Sequence, residues 1–417
     1  MSIPSELFGN WQRTTDENME WVIKKDDYRV PIKSWCKDIE EGALSQAADL
    51  AKHPAVFSHV ALMPDCHQGY GMPIGGVIGC KDAVIPNAVG VDIGCGMGAV
   101  QTSIPADEMP DMAGIRAMLE VLKGLVPCGE GNAHKKPQEW EGFDEADLSA
   151  GWYEKKTWKL AYRNLGTLGG GNHFIELQAG DDGYIWLMLH SGSRNLGYKI
   201  ARYYNDLAVG LNEKWFSGIP NKDLAFLPAD SDEGLAYIRD MNFALRYAKE
   251  NRFRMMENFK MTFSDFFPDV SFIQEINIHH NYAAQENHFD REVWVHRKGA
   301  TAAANELRGI IPGSMGTPSY IVEGIGNPES FMSCSHGAGR VLGRNEASRR
   351  LTREECEKAM EGIVCDRWNK IRRGKMKGFY DFGEAPAAYK DIDTVIRSQS
   401  DLIKPLVKLR PLGVIKG

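Results

Sequence analysis

Glycine constrains this chain more than any other residue. The 417 residues include 43 glycines, gathered in short runs rather than in one linker. Glycine enters left-handed and strained backbone without steric cost, so such clusters imply many tight turns or sites lined by backbone.

Metal-ligating side chains stand beside these turns. Val91-Asp92-Ile93-Gly94-Cys95-Gly96 sets a carboxylate and a thiol three residues apart. Gly170-Gly171-Asn172-His173-Phe174-Ile175-Glu176 places an imidazole after a glycine run, and His190 precedes Ser191-Gly192-Ser193-Arg194. His279-His280-Asn281 adds two imidazoles, and Ser335-His336-Gly337-Ala338-Gly339-Arg340 adds one more. Imidazole, thiolate and carboxylate together suit a first-row metal. Each has a plainer explanation taken singly: Cys95 as a small buried hydrophobe, each histidine as a hydrogen-bonded loop residue. Recurrence in five separate segments moves the balance to metal binding. The spacings are too long for a zinc finger, and the soft thiolate suits zinc or cobalt. On these residues alone the reaction stays open.

Charge narrows the partners. Net charge is −7 with a pI near 5.9, which argues against a general nucleic-acid coat protein, because phosphate binding needs clustered Lys and Arg. Local basic clusters remain at Lys155-Lys156, Arg349-Arg350 and Arg372-Arg373-Gly374-Lys375-Met376-Lys377, each readable as solvated surface charge. The eight cysteines form no CxxC pair. The first residues lack a basic n-region and an apolar h-region, and no apolar run is long enough to span a membrane. The expectation is a cytoplasmic enzyme with reduced thiols. A GxxxxGK[ST] loop, a GxGxxG after a strand and a Lys-x-Asp-Gly motif are all missing, so nucleotide chemistry would need another device.

Residues 1–30 read as a polar lead-in. Residues 55–105 are dense in Gly, Val and Ile and read as short strands and turns. Ile115, Met118, Leu119, Leu122 and Leu125 share a helical face, so 112–125 is expected to be a helix. Residues 128–160 read as a mobile loop. Ile185–Leu189 reads as a buried strand ending at His190, 233–258 as a long helix, and Val293 and Val295 as part of a strand ending near Arg297-Lys298-Gly299. Thr352-Arg353-Glu354-Glu355 is a capping box expected to open a helix to about 372. Strands and helices mix without βαβ alternation, which gives α+β.

Several blocks together resemble the RtcB-type RNA-splicing ligases. They are Met63-Pro64-Asp65-Cys66-His67-Gln68-Gly69-Tyr70-Gly71, Gly90–Gly96, Leu165–His173, Leu189–Arg194, Pro312-Gly313-Ser314-Met315-Gly316, Ser335–Arg340, Ala388-Tyr389-Lys390-Asp391-Ile392-Asp393 and Lys416-Gly417. They run in the family order from about residue 60 onward. Cys66 and Gln68 depart from the family pattern beside Asp65 and His67.

The resemblance implies a single compact domain over 1–417 with mixed sheets surrounded by helices. It implies two Mn2+ ions held by Asp92, Cys95, His173, His190 and His280, with Cys95 bridging. It implies GTP bound by Asn172, His173, Phe174, Ile175, Glu176, His280, Asn281, Pro312, Gly313, Ser314, Met315, Ser319, His336, Gly337, Ala338, Gly339, Tyr389 and Lys416. Glu176 would accept from guanine N1 and N2, and Lys416 would reach O6. His336 would be the nucleophile that carries guanylate, with Asp65 and Arg340 assisting. RNA 2′,3′-cyclic phosphate or 3′-phosphate ends would be joined to 5′-hydroxyl ends through RNA-(3′)pp(5′)G, in tRNA splicing or RNA repair. Some relatives use an activating protein partner. The rival readings are a paralogue that repairs or caps RNA ends, a metal phosphoesterase that never uses GTP, and a non-catalytic RNA-binding protein. His336 and Lys416 speak against the phosphoesterase, and the acidic net charge and full ligand set against the last.

Overall fold

In the computed structural model, the described residues are 11–13, 19, 21–144, 151–366, 368–371 and 374–417. Along the chain come β1 (Trp11–Arg13), β2 (Trp21–Ile23), β3 (Ile32–Ser34), α1 (Glu41–Lys52), β4 (Val56–Tyr70), β5 (Met72–Cys80), β6 (Ala83–Val84), α2 (Pro86–Val89) and β7 (Gly96–Pro105). Next are α3 (Met112–Leu125), α4 (Lys155–Asn164), β8 (Phe174–Gly180), β9 (Tyr184–Ser191), α5 (Leu196–Lys214), β10 (Leu227–Pro228) and α6 (Asp232–Phe266). The strands β11 (Phe272–His279), β12 (Asn281–His288), β13 (Arg291–Lys298), β14 (Ala300–Ala302), β15 (Arg308–Ile311), β16 (Ser319–Gly324) and β17 (Ser333–Ser335) follow. Last are α7 (Arg344–Arg350), α8 (Arg353–Ala359), α9 (Ile392–Arg397) and β18 (Ile403–Lys416).

Two seven-stranded sheets carry the architecture, in orders β1-β2-β3-β4-β5-β13-β12 and β11-β7-β9-β8-β18-β16-β15. Only the β3–β4 pairing within them is parallel, as expected for α+β rather than a doubly wound fold. The helices α3 and α6 cover one face of the second sheet through Met118, Leu119, Leu122, Met255, Met256 and Phe259. Its other face curls inward, gathering Met97, Trp186, Ile276, Ile310 and Ile321 from both ends of the strand order. The first sheet packs α1 on one side and α9 with residues 300–338 on the other. The sheets are joined at His280, between β11 of one and β12 of the other.

Helix α3 matches the expected 112–125. Asp111 caps it by accepting from the Ala113 and Gly114 amides. Helix α6 is longer than expected, with 35 residues capped by Ser231. Strand β4 is also longer, at 15 residues, because a strand buried on both faces lacks the alternation that marks its limits.

Three expectations need correction. The capping box at Thr352 forms, but α8 stops at Ala359, just before the left-handed Gly362 at φ +79°. The 128–160 segment is not a free loop where it is described. Phe143 stacks on Tyr162 at 4.0 Å, and Trp158 stacks on Phe243 of α6 at 5.5 Å, so its aromatics pin it to the core. Residues 145–150 lie outside the described residues. The polar lead-in is partly sheet, since Trp21–Ile23 pairs with β3; residues 1–10, 14–18 and 20 lie outside the described residues. No helix among the described residues is long and apolar enough to cross a membrane, and all eight cysteines are free.

Candidate functional site

Strand ends bring the predicted donors together. Cys95 precedes β7, His173 precedes β8, His190 lies near the end of β9, and His280 sits at the β11–β12 crossover. In register, His190 faces Met97 on one neighbour and Phe174 on the other. Adjacent antiparallel strands thus set the Cys95, His173 and His190 side chains side by side.

The geometry is close. Cys95 Sγ lies 3.2 Å from His190 Nε2 and 3.4 Å from His173 Nε2. These three ligand atoms lie within 4.8 Å of one another and all three residues are buried, so they could hold a metal ion. His280 Nε2 is 3.0 Å from His190 Nε2, and Asp92 Oδ2 is 3.9 Å from His173 Nε2. All five predicted ligands therefore meet in one place.

The donor chemistry fits a transition metal. His173 Nδ1 donates to the Leu168 carbonyl at 3.0 Å and His190 Nδ1 to the Asn172 carbonyl at 3.3 Å. Those bonds put the ring protons on Nδ1 and leave both Nε2 lone pairs facing Cys95. Burial holds His190 and His280 well below the usual imidazole range, which keeps both neutral as ligands. Burial pushes the Asp92 carboxyl up, but the neighbouring imidazoles of His173 and His280 outweigh this and hold it near 2. Burial and the Asp92 charge push the Cys95 thiol up, so an ion binding here displaces its proton.

Beside the donors stands His336, directly after β17. Its ring centroid is 4.8 Å from that of His280. Asp65, in the middle of β4 and fully buried, accepts with Oδ2 from His336 Nδ1 at 2.6 Å and from the His336 backbone amide at 3.1 Å. Burial pushes the Asp65 carboxyl up, but the hydrogen bond from His336 and the nearby Lys390 ammonium hold it below the usual carboxylate range. Glycine makes the approach possible: Gly339 has φ +73°, and a Cβ there would collide with the Asp65 backbone. A Cβ at Gly299 would lie 3.0 Å from His336 Cε1.

His336 opens into a cleft of about 160 Å³. Among the predicted residues, Asn172, Phe174, His190, Pro312, Gly313, Ser314 and Met315 line it. So do His336, Gly337, Ala338, Gly339, Arg340, Tyr389 and Lys416. His173, Ile175, Glu176, His280, Asn281 and Ser319 are not among its lining residues. Glu176 is 2% exposed and accepts from Gln178 Nε2 at 2.7 Å, which also donates to Ser319 Oγ at 3.2 Å. Asn281 serves the backbone, donating to Asp92 O and accepting from the Gly299 amide. Two further cavities continue the cleft. One of about 410 Å³ shares His67 and Arg340 with it. Another of about 260 Å³ shares Met315, Arg344, Glu384 and Lys416.

Glu384 is a cleft residue that sequence reasoning missed. Its carboxylate accepts from Arg344 Nε at 2.7 Å, Arg340 Nη1 at 3.3 Å and the Tyr389 hydroxyl, and pairs with Lys416 Nζ at 3.4 Å. These cations hold it near 2 against burial, Lys416 most strongly. Arg340 is thereby turned along the cleft wall, with its guanidinium 4.8 Å over the Tyr389 ring. Glu384 lies five residues before Tyr389, and a carboxylate in a Gly-Glu-Ala-Pro stretch reads as an ordinary turn residue. Of the basic clusters, Lys155-Lys156 and Arg349-Arg350 are exposed and away from the cleft lining; Arg372 and Arg373 lie outside the described residues.

A family model described as tRNA-splicing ligase RtcB matches residues 46–417. The chain is 39% identical to the RNA-splicing ligase RtcB of Escherichia coli strain K12, over 93% of this chain and 98% of that one. It is 31% identical to the tRNA-splicing ligase RtcB of Thermococcus kodakarensis, over 96% and 98% of the two chains. Identity to the RNA-splicing ligase RtcB of Mycobacterium tuberculosis is also 31%, over 89% of this chain and all of that one.

Proposed function

The chain belongs to the RtcB family of ligases and is an RNA ligase; on that premise we propose that it is GTP-dependent, with His336 as the residue that carries guanylate. The observation behind this is the bond between Asp65 and His336 beside the Cys95, His173 and His190 donors. Asp65 holds the proton on Nδ1, so Nε2 keeps its lone pair as a neutral nucleophile. The carboxylate then faces an imidazolium when Nε2 acquires a phosphoryl group.

His336 Nε2 bonds to the α-phosphorus of GTP and the bond to pyrophosphate breaks. An RNA 3′-phosphate, supplied directly or by hydrolysis of a 2′,3′-cyclic phosphate with one water, bonds through an oxygen to the guanylate phosphorus as the bond to His336 Nε2 breaks. A 5′-hydroxyl attacks the activated RNA phosphorus, GMP leaves with the electron pair, and the hydroxyl proton is lost. A bare 3′-phosphate oxygen leaves poorly and GMP leaves better, which is why the RNA end is activated first.

Asp92, Cys95, His173, His190 and His280 are the residues that would hold two Mn2+ ions, which would neutralise charge on attacking and leaving oxygens. The cleft loop Pro312–Met315 and the Gly337–Gly339 backbone would cradle the nucleotide, with Glu176 and Lys416 reading guanine. The cavities on either side would take the RNA ends. Because the blocks span both sheets, we read residues 1–417 as one catalytic domain. A thiolate ligand needs a reducing compartment, which favours the cytoplasm. Joining tRNA or other broken RNA ends is the role this reading supports.

The test is incubation with α-labelled GTP and manganese. Covalent label is expected on the parent protein and none on His336→Ala. An unlabelled parent with metal confirmed bound would sink the reading.

A further inference from the structure

Two consecutive side chains of α6, Asn251 and Arg252, are fully buried and have no part in the chemistry above. Asn251 Oδ1 accepts from the Gly166 and Thr167 amides at 2.7 and 3.1 Å. Its Nδ2 lies 3.1 Å from Thr167 O and 3.2 Å from both Ser191 Oγ and Gly192 O. Arg252 Nη1 donates to Gly94 O at 2.8 Å and to Ser191 O at 3.0 Å. Its Nε donates to Asn277 Oδ1 at 2.8 Å, and its Nη2 lies 3.0 Å from His279 Nδ1.

The positions of these partners matter. Gly94 directly precedes Cys95, Ser191 directly follows His190, and His279 directly precedes His280. Gly166 and Thr167 belong to the glycine-rich run that leads to His173. One turn of one helix thus grips residues adjacent to Cys95, His190 and His280, and the start of the run that leads to His173.

The arrangement is expensive for a purely structural role. Among the described residues no carboxylate forms an ion pair with Arg252, and a buried guanidinium without one carries a desolvation cost. An apolar side chain would fill the same core at less cost. What the guanidinium provides is a planar fork that fixes several carbonyls at defined angles, together with a positive charge behind the Cys95–Asp92 turn.

We propose that Arg252, assisted by Asn251, is the positioning residue of the metal centre. It sets the Cys95, His190 and His280 segments at ion-binding spacing, so affinity for the ion depends on a residue that never touches it. This rests on reading the donor set as a metal site.

The experiment is titration of Co2+ into the metal-stripped full chain, read by the thiolate-to-cobalt charge-transfer band and by competition with a metal-binding dye. Arg252→Met and Arg252→Lys are compared with the parent, and each variant's fold is checked by circular dichroism. Outer-shell partners of metal ligands typically contribute 10–100-fold in affinity. Arg252→Met is expected to lose affinity by about that factor, with a weakened or displaced band, and Arg252→Lys to recover part of both. Parental affinity and band in folded Arg252→Met overturn the inference. If Arg252→Met does not fold, Arg252→Lys decides: parental affinity and band overturn it, and an intermediate loss supports it. A parent that shows no charge-transfer band overturns the metal-centre reading itself, a different failure.

Discussion

Burial pushes the Glu176 carboxyl up to about 8, against the charge of Lys416 and the hydrogen bond from Gln178. In the unfolded chain this group titrates near 4.5. A carboxyl raised in the folded state costs nothing below the unfolded value and weighs increasingly on stability as pH rises toward the folded one. Each tenfold fall in proton concentration between those limits should cost about 1.4 kcal/mol. Unfolding midpoints without GTP, taken from pH 5 to 8, are therefore expected to fall more steeply in the parent than in Glu176→Gln. Parallel curves would refute the buried neutral carboxyl. On the proposed reading the ionised form accepts from guanine N1 and N2, so preference for GTP over ATP in labelling should also relax in the variant. Residues differ in how far the sequence announces them. Cys95 and the histidines are legible because each stands beside Gly, Asn or Ser turn residues. Arg252 and Asn251 are not: in Lys249-Glu250-Asn251-Arg252-Phe253-Arg254, a buried fork looks the same as its solvated neighbours.

Elements show a second limit. The cap of α8 is local chemistry and is written in the sequence: Thr352 Oγ1 accepts from the Glu355 amide, and Glu355 accepts in return from the Thr352 amide at 2.8 Å. Its length is not. The helix ends at Ala359 and does not resume beyond Gly362, because Val364 finds better partners in β18, donating to Leu412 O and accepting from the Val414 amide. Backbone pairing with a distant strand outweighs another turn of helix. Thr352→Ala should cost about 1 kcal/mol of stability, measured by denaturant unfolding, while leaving guanylate labelling intact. Loss of labelling with unchanged stability would place Thr352 in the site instead. The same competition explains 128–160, where polar composition suggested a loop but Trp140, Phe143 and Trp158 pack on Tyr247 and Phe243 of α6.

For the molecule as a whole, β18 is the decisive insertion. It runs between β8 and β16, pairing Lys416 with Phe174, and so carries the Lys416 ammonium to Asn172 O at 3.2 Å and to Glu384. Replacing Lys416 by Met leaves Glu384 short of one cation and, on the proposed reading, removes a charge-assisted donor to the nucleotide. The GTP concentration for half-maximal labelling should rise roughly 10–100-fold, as a charged hydrogen bond of about 1.5–3 kcal/mol implies. Co2+ binding at the Cys95 cluster should stay parental. An unchanged GTP requirement would remove Lys416 from the guanine pocket. The sequence by itself determined the inventory: which imidazoles, thiol and carboxylates exist, that glycine lets backbone crowd around them, and the α+β class through mixed periodicity. Its likeness to a known family supplied the roles. The distances, the shared face of the donors, the joining of the cationic wall by Glu384 and the grip of α6 on the donor segments come from the fold. The reason is physical. Turn chemistry and capping act over a few residues and leave local patterns, whereas these contacts join residues scores to hundreds of positions apart and leave none.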